Sequence, residues 1–307
     1  MRIKLGRKSR KRIYRFVLIF FLILNILAFA GAYLMTHSRS PQQFGLGLPK
    51  DTSSKLPIDM GLAYSTQRLP ISKTEWLETW LISVQNSASN GTILMFPGKS
   101  SSKSSQLLAP AHAFHNLNYD TLLVDFRGVG GSSGNTNTLG IREAQDVALA
   151  MSYAQNSKLK RPLILYGISM GSAAILRAVA IEKVNPDAII IELPFARLLD
   201  SVRSRLRAMW LPPFPMAELI VFWGGVQHGV NGFTHNPETY ASQVKSPTLL
   251  MHGKLDPWTS LEEINQILKN LPSSKQLLIF PNTGHSLLVT VDKEYWQQNV
   301  DRFLKRI

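Results

Sequence analysis

The chain has 307 residues, no cysteine and a net charge of +14. The lack of cysteine excludes disulfides, metal-thiolate sites and a cysteine nucleophile, and the histidines form no H-E-x-x-H pattern, so a metal enzyme is disfavoured and no organic cofactor is called for. Nor does the charge read as a nucleic-acid surface: Arg2, Lys4, Arg7, Lys8, Arg10, Lys11, Arg12 and Arg15 supply more than half of it before any acidic residue appears.

Residues 1–15 therefore read as a basic cytoplasmic tail. Residues 16–35 form an apolar run whose only strongly polar member is Asn25, long enough as a helix to cross a hydrocarbon core of about 30 Å. With the cations on its N-terminal side, the positive-inside rule keeps the N-terminus in the cytoplasm and sends the rest to the exoplasmic or periplasmic side. The competing reading is a signal peptide cleaved near Ala30, after Ala28-Phe29-Ala30, giving a secreted protein. Continuation of the apolar run through Tyr33, Leu34 and Met35 favours an uncleaved anchor in the lipid bilayer. Residues 36–61 are rich in Ser, Pro, Gly and Gln and read as a linker.

Residues 62–307 are expected to form the folded domain. Two extended segments between Leu62 and Val84 look like an antiparallel opening to a sheet. Strands are then expected at residues 92–96, 121–125, 163–166, 188–192, 248–251 and 276–280, with helical stretches between them, clearest at 140–156 and 260–271. This alternation predicts an α/β fold with a mostly parallel sheet covered by helices on both faces, and function at the carboxyl ends of the strands. Residues 196–240 are far longer than the usual connection of roughly two to six residues, so they read as a helical insertion that caps the site. The insertion carries Arg197, Arg203, Arg205 and Arg207, read as a solvated helix face or as a preference for an anionic head, and the apolar Trp210, Phe214, Leu219, Ile220, Val221, Phe222 and Trp223, expected to wall an acyl pocket.

The chemistry is concentrated around Ser169. Gly167-Ile168-Ser169-Met170-Gly171 is a G-x-S-x-G turn leading from an apolar strand into a helix. Such a turn pushes the serine hydroxyl out beyond the sheet and aims free helix N–H groups at it, and a Cβ at either glycine would collide with neighbouring elements. A serine needs a base, and the base needs an acid to orient it. Asp256 follows one later strand and His285 the next, in the chain order Ser, Asp, His. Asp256 also reads as a helix N-cap, and His252 as a satisfied buried histidine. Asp125 is the rival acid, but it precedes Ser169 in the sheet order and has Arg127 nearby to pair with. The loop at residues 125–134 lacks the ending of a phosphate cradle and reads as a tight structural loop.

These residues resemble the α/β-hydrolase superfamily over about residues 76–304. The carrying motifs are Phe96-Pro97-Gly98-Lys99, Asp125-Phe126-Arg127-Gly128 with Gly130 and Ser132, the turn at Ser169, His252-Gly253 with Asp256, and Gly284-His285. They look most like its serine aminopeptidase, monoglyceride-lipase-like and membrane-anchored acyl hydrolase branch. The resemblance implies Ser169 as nucleophile, Asp256 and His285 as its partners, and an oxyanion hole from the backbone N–H groups of Lys99 and Met170. Pro97-Gly98 stands where many relatives have His-Gly. The resulting expectation is a membrane-anchored serine hydrolase cleaving a small-molecule carboxylic ester or thioester through an acyl-enzyme. The alternatives are a serine peptidase of the same fold and a silent scaffold used as a binding module.

Overall fold

The short apolar runs that alternate with helical stretches assemble into an eight-stranded sheet in the order β1-β2-β4-β3-β5-β6-β7-β8. The computed structural model describes residues 7–38, 55–85 and 88–307. The described chain opens with α1 (Arg7–Thr36), followed by the antiparallel pair β1 (Tyr64–Pro70) and β2 (Trp76–Ile82). The repeating units follow: β3 (Thr92–Phe96), α2 (Leu108–Asn116), β4 (Asp120–Val124), α3 (Glu143–Asn156), β5 (Leu163–Ile168), α4 (Met170–Ala180) and β6 (Ala188–Glu192). The segment after β6 carries α5 (Leu198–Ala208), α6 (Met216–His228) and α7 (Pro237–Tyr240). The chain then closes with β7 (Thr248–Gly253), α8 (Leu261–Asn270), β8 (Lys275–Phe280), α9 (Leu288–Val291) and α10 (Lys293–Leu304).

From β4 to β8 every pairing is parallel, while β2 meets β4 antiparallel. The residues of β3, β5, β6 and β7 are all buried, which is why these strands read as continuous apolar runs rather than alternating ones. Each strand still feeds two cores. Leu94, Leu122, Leu165 and Ile189 join one with Val147 of α3 and Ile264 of α8. Ile93, Met95, Tyr166 and Ile190 join the other with Phe114 of α2 and Trp296 of α10. Covering both faces leaves the carboxyl ends of the parallel strands as the edge where side chains can meet a ligand.

The amino-terminal region departs from the expected segmentation in two ways. α1 is one continuous helix from Arg7, so residues 7–15 of the expected basic tail are helical, while residues 1–6 lie outside the described residues. Nor does a loose tether start directly after the helix. His37 bridges Thr136, and the Ser38 N–H donates to the Asn135 carbonyl at 2.7 Å. Most of the expected linker, residues 39–54, lies outside the described residues.

α1 also packs on the domain it precedes. Ala28 and Ala32 are wholly buried, Thr36 nearly so, and a Cβ added at Gly224 of α6 would stand 3.8 Å from that of Ala32. The Trp223 indole N–H donates to Asn25 Oδ1 at 3.1 Å, and the Gln227 amide donates to the Phe29 carbonyl at 2.9 Å. Small residues at the contact with a few polar ties are the pattern by which helices pack in membranes.

Candidate active site

β5 runs straight into α4, and Ser169 at the joint has φ 52° and ψ −109°, a conformation that only a tightly held residue sustains. A Cβ at Gly167 would come within 2.7 Å of the Gly171 backbone, and one at Gly171 within 2.4 Å of the Phe96 carbonyl. Both glycines are therefore required by the closeness of strand and helix. The Ser169 N–H donates to the Glu192 carbonyl of β6 at 2.8 Å, which pins the turn to the sheet.

The loops after β7 and β8 bring the partners. A Cβ at Gly253 would stand 2.2 Å from the Gly284 carbonyl, so these loops touch backbone to backbone and carry Asp256 and His285 together. His285 Nε2 lies 3.0 Å from Ser169 Oγ, and Nδ1 lies 2.6 Å from Asp256 Oδ2. Since an ionised carboxylate only accepts, Nδ1 carries the proton and Nε2 is free to take the serine's. The other carboxylate oxygen accepts from the Trp258 N–H at 2.8 Å and the Thr259 N–H at 3.3 Å. Burial pushes the Asp256 carboxyl up, but the hydrogen bond and charge of His285 and the Trp258 N–H outweigh it and hold the group below the usual carboxylate range. The helix cap that Asp256 alone could have supplied is made by Ser260 instead, which accepts from Glu263 N–H at the start of α8. His252 is buried behind this group, with Nε2 3.1 Å from the Thr259 carbonyl and Nδ1 4.0 Å from Asp256 Oδ2.

Lys99 follows β3 and Met170 opens α4, so both backbone N–H groups sit at the same edge as Ser169. Neither donates to another described residue. The neighbouring Gly98 N–H is already taken by Gln106 Oε1 at 2.6 Å, which fixes the loop while leaving the next donor free.

Ser169 opens into a small pocket whose wall includes Met35, Lys99, Leu139, Phe195 and Arg205. A second, apolar cavity shares Met35, Leu139, Leu198 and Val202 with it and extends to Ile220 and Val221 of α6. The segment between β6 and β7 thus contributes Leu198, Ser201, Val202 and Arg205 to the wall beside the serine. Its aromatic residues are placed differently. Trp210 is 95% and Phe214 75% exposed, Phe222 is half exposed, and Trp223 packs edge-on against Phe29 of α1. The aliphatic Ile220 and Val221 form the wall instead, alongside Gly224 and Gly225 of the same helix.

The rival acid, Asp125, is engaged elsewhere. Asp125 pairs with Lys103, not with Arg127, whose side chain turns to Asp146 of α3 at 2.8 Å. Lys103 additionally holds Glu78 at 2.9 Å. Asp125 further accepts from the Gly131 N–H at 2.9 Å and the Lys103 N–H at 2.7 Å, so both its oxygens are engaged by the loop and by Lys103.

Arg205, one of the four insertion arginines read as a solvated face or an anionic-head preference, enters from α5. Three contributions to the site had no readable sequence signal: Met35 enters from α1, the Lys99 side chain from the β3 loop, and Trp258 lies against His285 with ring centroids 4.5 Å apart. Glu192, fully buried under the serine turn, was equally hidden. It accepts from Tyr166 O–H at 2.8 Å and Trp296 Nε1–H at 2.7 Å, and burial raises its carboxyl to about 7 against the pull of those donors.

Comparison with known proteins agrees with this architecture. A model of the alpha/beta hydrolase family matches residues 93–297. The uncharacterized protein YqkD of Bacillus subtilis is 28% identical over 196 residues, 63% of this chain and 64% of that protein's length. The lysophosphatidylserine lipase ABHD12 of Danio rerio is 23% identical over 147 residues, 46% of this chain and 36% of that one. The solved esterase Pf2001 of Pyrococcus furiosus superposes with a TM-score of 0.71 over 84% of this chain and 96% of its own, at 21% identity, a likeness of fold.

Proposed function

The chain belongs to the alpha/beta hydrolase family, and we propose that within it this protein is a membrane-anchored serine hydrolase that cleaves carboxylic esters or thioesters through an acyl-enzyme. The observation that carries the reading is the unbroken relay from Asp256 Oδ2 through His285 to Ser169 Oγ, at 2.6 and 3.0 Å, beside two backbone donors free of described acceptors. His285 Nε2 accepts the Ser169 proton as Oγ attacks the carbonyl carbon. The oxyanion is held by the Lys99 and Met170 N–H groups, the latter at the positive end of α4. His285 then gives its proton to the departing alcohol or thiol. Water attacks the acyl-enzyme by the same route, and Asp256 keeps the imidazole in the productive tautomer throughout.

The apolar cavity supports an acyl chain rather than a peptide, since it presents aliphatic side chains where a peptide backbone would need hydrogen-bond partners. The ABHD12 relative is named as a lipase, in line with that preference.

Anchoring fits the same picture. From Arg10 to Ile23 every residue of α1 is exposed, and packing against α6 begins around Asn25. The bare apolar part, residues 16–23, rises only about 12 Å at 1.5 Å per residue, well short of a hydrocarbon core of about 30 Å. Residues 16–35 together reach it. A spanning α1 therefore carries the contact with α6 into the outer half of the bilayer, and the exposed Trp210, Phe214 and Phe222 rest against lipid instead of water. Met35, which walls the Ser169 cavity, then lies at the membrane surface, and an acyl chain reaches the serine from the side.

The test is labelling of the full chain with a fluorophosphonate probe. Ser169→Ala should lose the label and leave only the residual catalysis, roughly 10³ to 10⁴ over water, that a site without its nucleophile retains. An unchanged melting temperature would show the fold intact, and persistent labelling of that variant would remove Ser169 from the role.

A further inference from the structure

The segment between β6 and β7 carries four arginines, and three have ordinary explanations. Arg197 pairs with Glu238 at 2.5 Å, Arg203 pairs with Glu218 at 2.6 Å and Asp200 at 3.0 Å, and Arg207 points to solvent. Arg205 is different. Its guanidinium has no carboxylate within ion-pair distance among the described residues. It is held by the Ser201 carbonyl at 2.9 Å and the Ser201 hydroxyl, and lies 4.8 Å over the Trp258 ring. Asp256 is near enough to favour its charge, yet both oxygens of that carboxylate are committed to His285 and to backbone N–H groups.

Lys99 approaches the same space from the loop after β3, also without an ion-pair partner among the described residues, and it lines the cavity together with Ser169 and Arg205. Burial and the charge of Arg205 push Lys99 down to about 8, and burial also lowers Arg205. Two partly buried cations facing one cavity cost free energy unless an anion joins them. The same chain shows the alternative at Lys103, a buried lysine satisfied by both Asp125 and Glu78.

We propose that Lys99 and Arg205 form an anion-binding subsite beside Ser169, and that the substrate is an acyl ester carrying a phosphate or carboxylate group close to the scissile bond. The proposal rests on Ser169 being the nucleophile. The cavity around the serine is small, so the anion sits within a few bonds of the ester while the chain runs on into the apolar cavity next to it. The planar guanidinium, already oriented by Ser201 and Trp258, has N–H groups left over to donate as a fork, and the Lys99 ammonium adds a point charge to the same pocket.

The test uses the full chain in detergent and three esters sharing one oleoyl chain: monooleoylglycerol, its phosphate monoester, and the oleoyl ester of glyceric acid. At least one anionic ester should exceed the neutral one in kcat/KM by about 10- to 100-fold, the range of a hydrogen-bonded charge contact. Which anion leads identifies phosphate or carboxylate as the recognised group. Lys99→Met and Arg205→Met should each bring the anionic-to-neutral ratio towards one, Arg205→Lys should restore part of it, and high salt should compress it. A neutral ester that matches or outruns both anions, or variants that slow all three esters in equal proportion, would overturn the subsite. Fluorophosphonate labelling separates the two levels: labelled protein without anion preference removes only the subsite, whereas an unlabelled wild type removes the hydrolase reading beneath it.

Discussion

Trp258 lies against the imidazole of His285 with ring centroids 4.5 Å apart and planes inclined by 50°. Its own N–H donates to Asp256 at 2.8 Å, so one residue positions both the imidazole and the carboxylate that orients it. The Arg205 guanidinium lies over the same indole, which links the proposed anion subsite to the proposed base through a single ring.

Trp258→Ala should therefore lower kcat/KM by about 10-fold or more, approaching the roughly 10² that a misplacement of 1 Å costs. The backbone donor to Asp256 survives the change, so the loss reflects a loosened imidazole. Trp258→Phe keeps a flat ring and should recover most of the rate. Steady-state kinetics on a neutral p-nitrophenyl ester checks this, and an Ala variant as fast as wild type would deny the ring a positioning role.

The wall formed by Ile220 and Val221 predicts chain-length selection. Val221→Phe should fill the apolar cavity and shift the preferred acyl chain to a shorter one. Each methylene excluded from burial loses about 0.8 kcal/mol, roughly fourfold in kcat/KM. Phe222→Ala, on the outward face of α6, should leave the preference unchanged. A p-nitrophenyl ester series from acetyl to dodecanoyl reads both outcomes, and the idea fails if the Phe222 variant alone shifts the optimum.

Glu192 gives the fold a pH dependence. Its carboxyl rises from 4.5 to about 7 on folding, because burial penalises its charge more than Trp296 and Tyr166 relieve it. Between those values the native chain holds a proton that the unfolded chain releases, so stability falls as pH rises through that window. At pH 8 the loss is on the order of 3 kcal/mol, from about 1.4 kcal/mol per pKa unit. Glu192→Gln does not titrate, so its Tm should decline less than that of the wild type between pH 5 and pH 8. Parallel declines would place the pH dependence elsewhere.

The proposed membrane contact is open to a direct probe, because the chain has no cysteine and a single one can be introduced. In full-length protein reconstituted in vesicles, an environment-sensitive fluorophore on Phe214→Cys or Phe222→Cys should emit to the blue and be quenched by nitroxide-labelled lipid. The same fluorophore on Glu182→Cys, beyond the end of α4 away from Ser169, should behave as in water. Equal exposure to water at all three positions would lift α6 out of the bilayer.

Much of this protein was legible in the order of its residues, wherever the cause is local. An apolar run between breakers has few ways to be buried except as an inner strand, and Gly167 and Gly171 around Ser169 announce a turn too tight for a Cβ, whatever lies further along the chain. The Ser, Asp, His order at successive strand ends was equally readable. What tertiary structure decided is which distant partner each side chain meets. Asp125 took Lys103 over the nearer Arg127, and Arg205 was left without a carboxylate while Arg197 and Arg203 found theirs. The aromatic residues of α6 turned outward and towards α1, leaving Ile220 and Val221 to face the cavity. These outcomes depend on how helices far apart in the chain stack against one another. Sequence spacing sets the face of a helix on which a residue lies, but only the packed neighbours decide whether that face meets core, ligand or lipid.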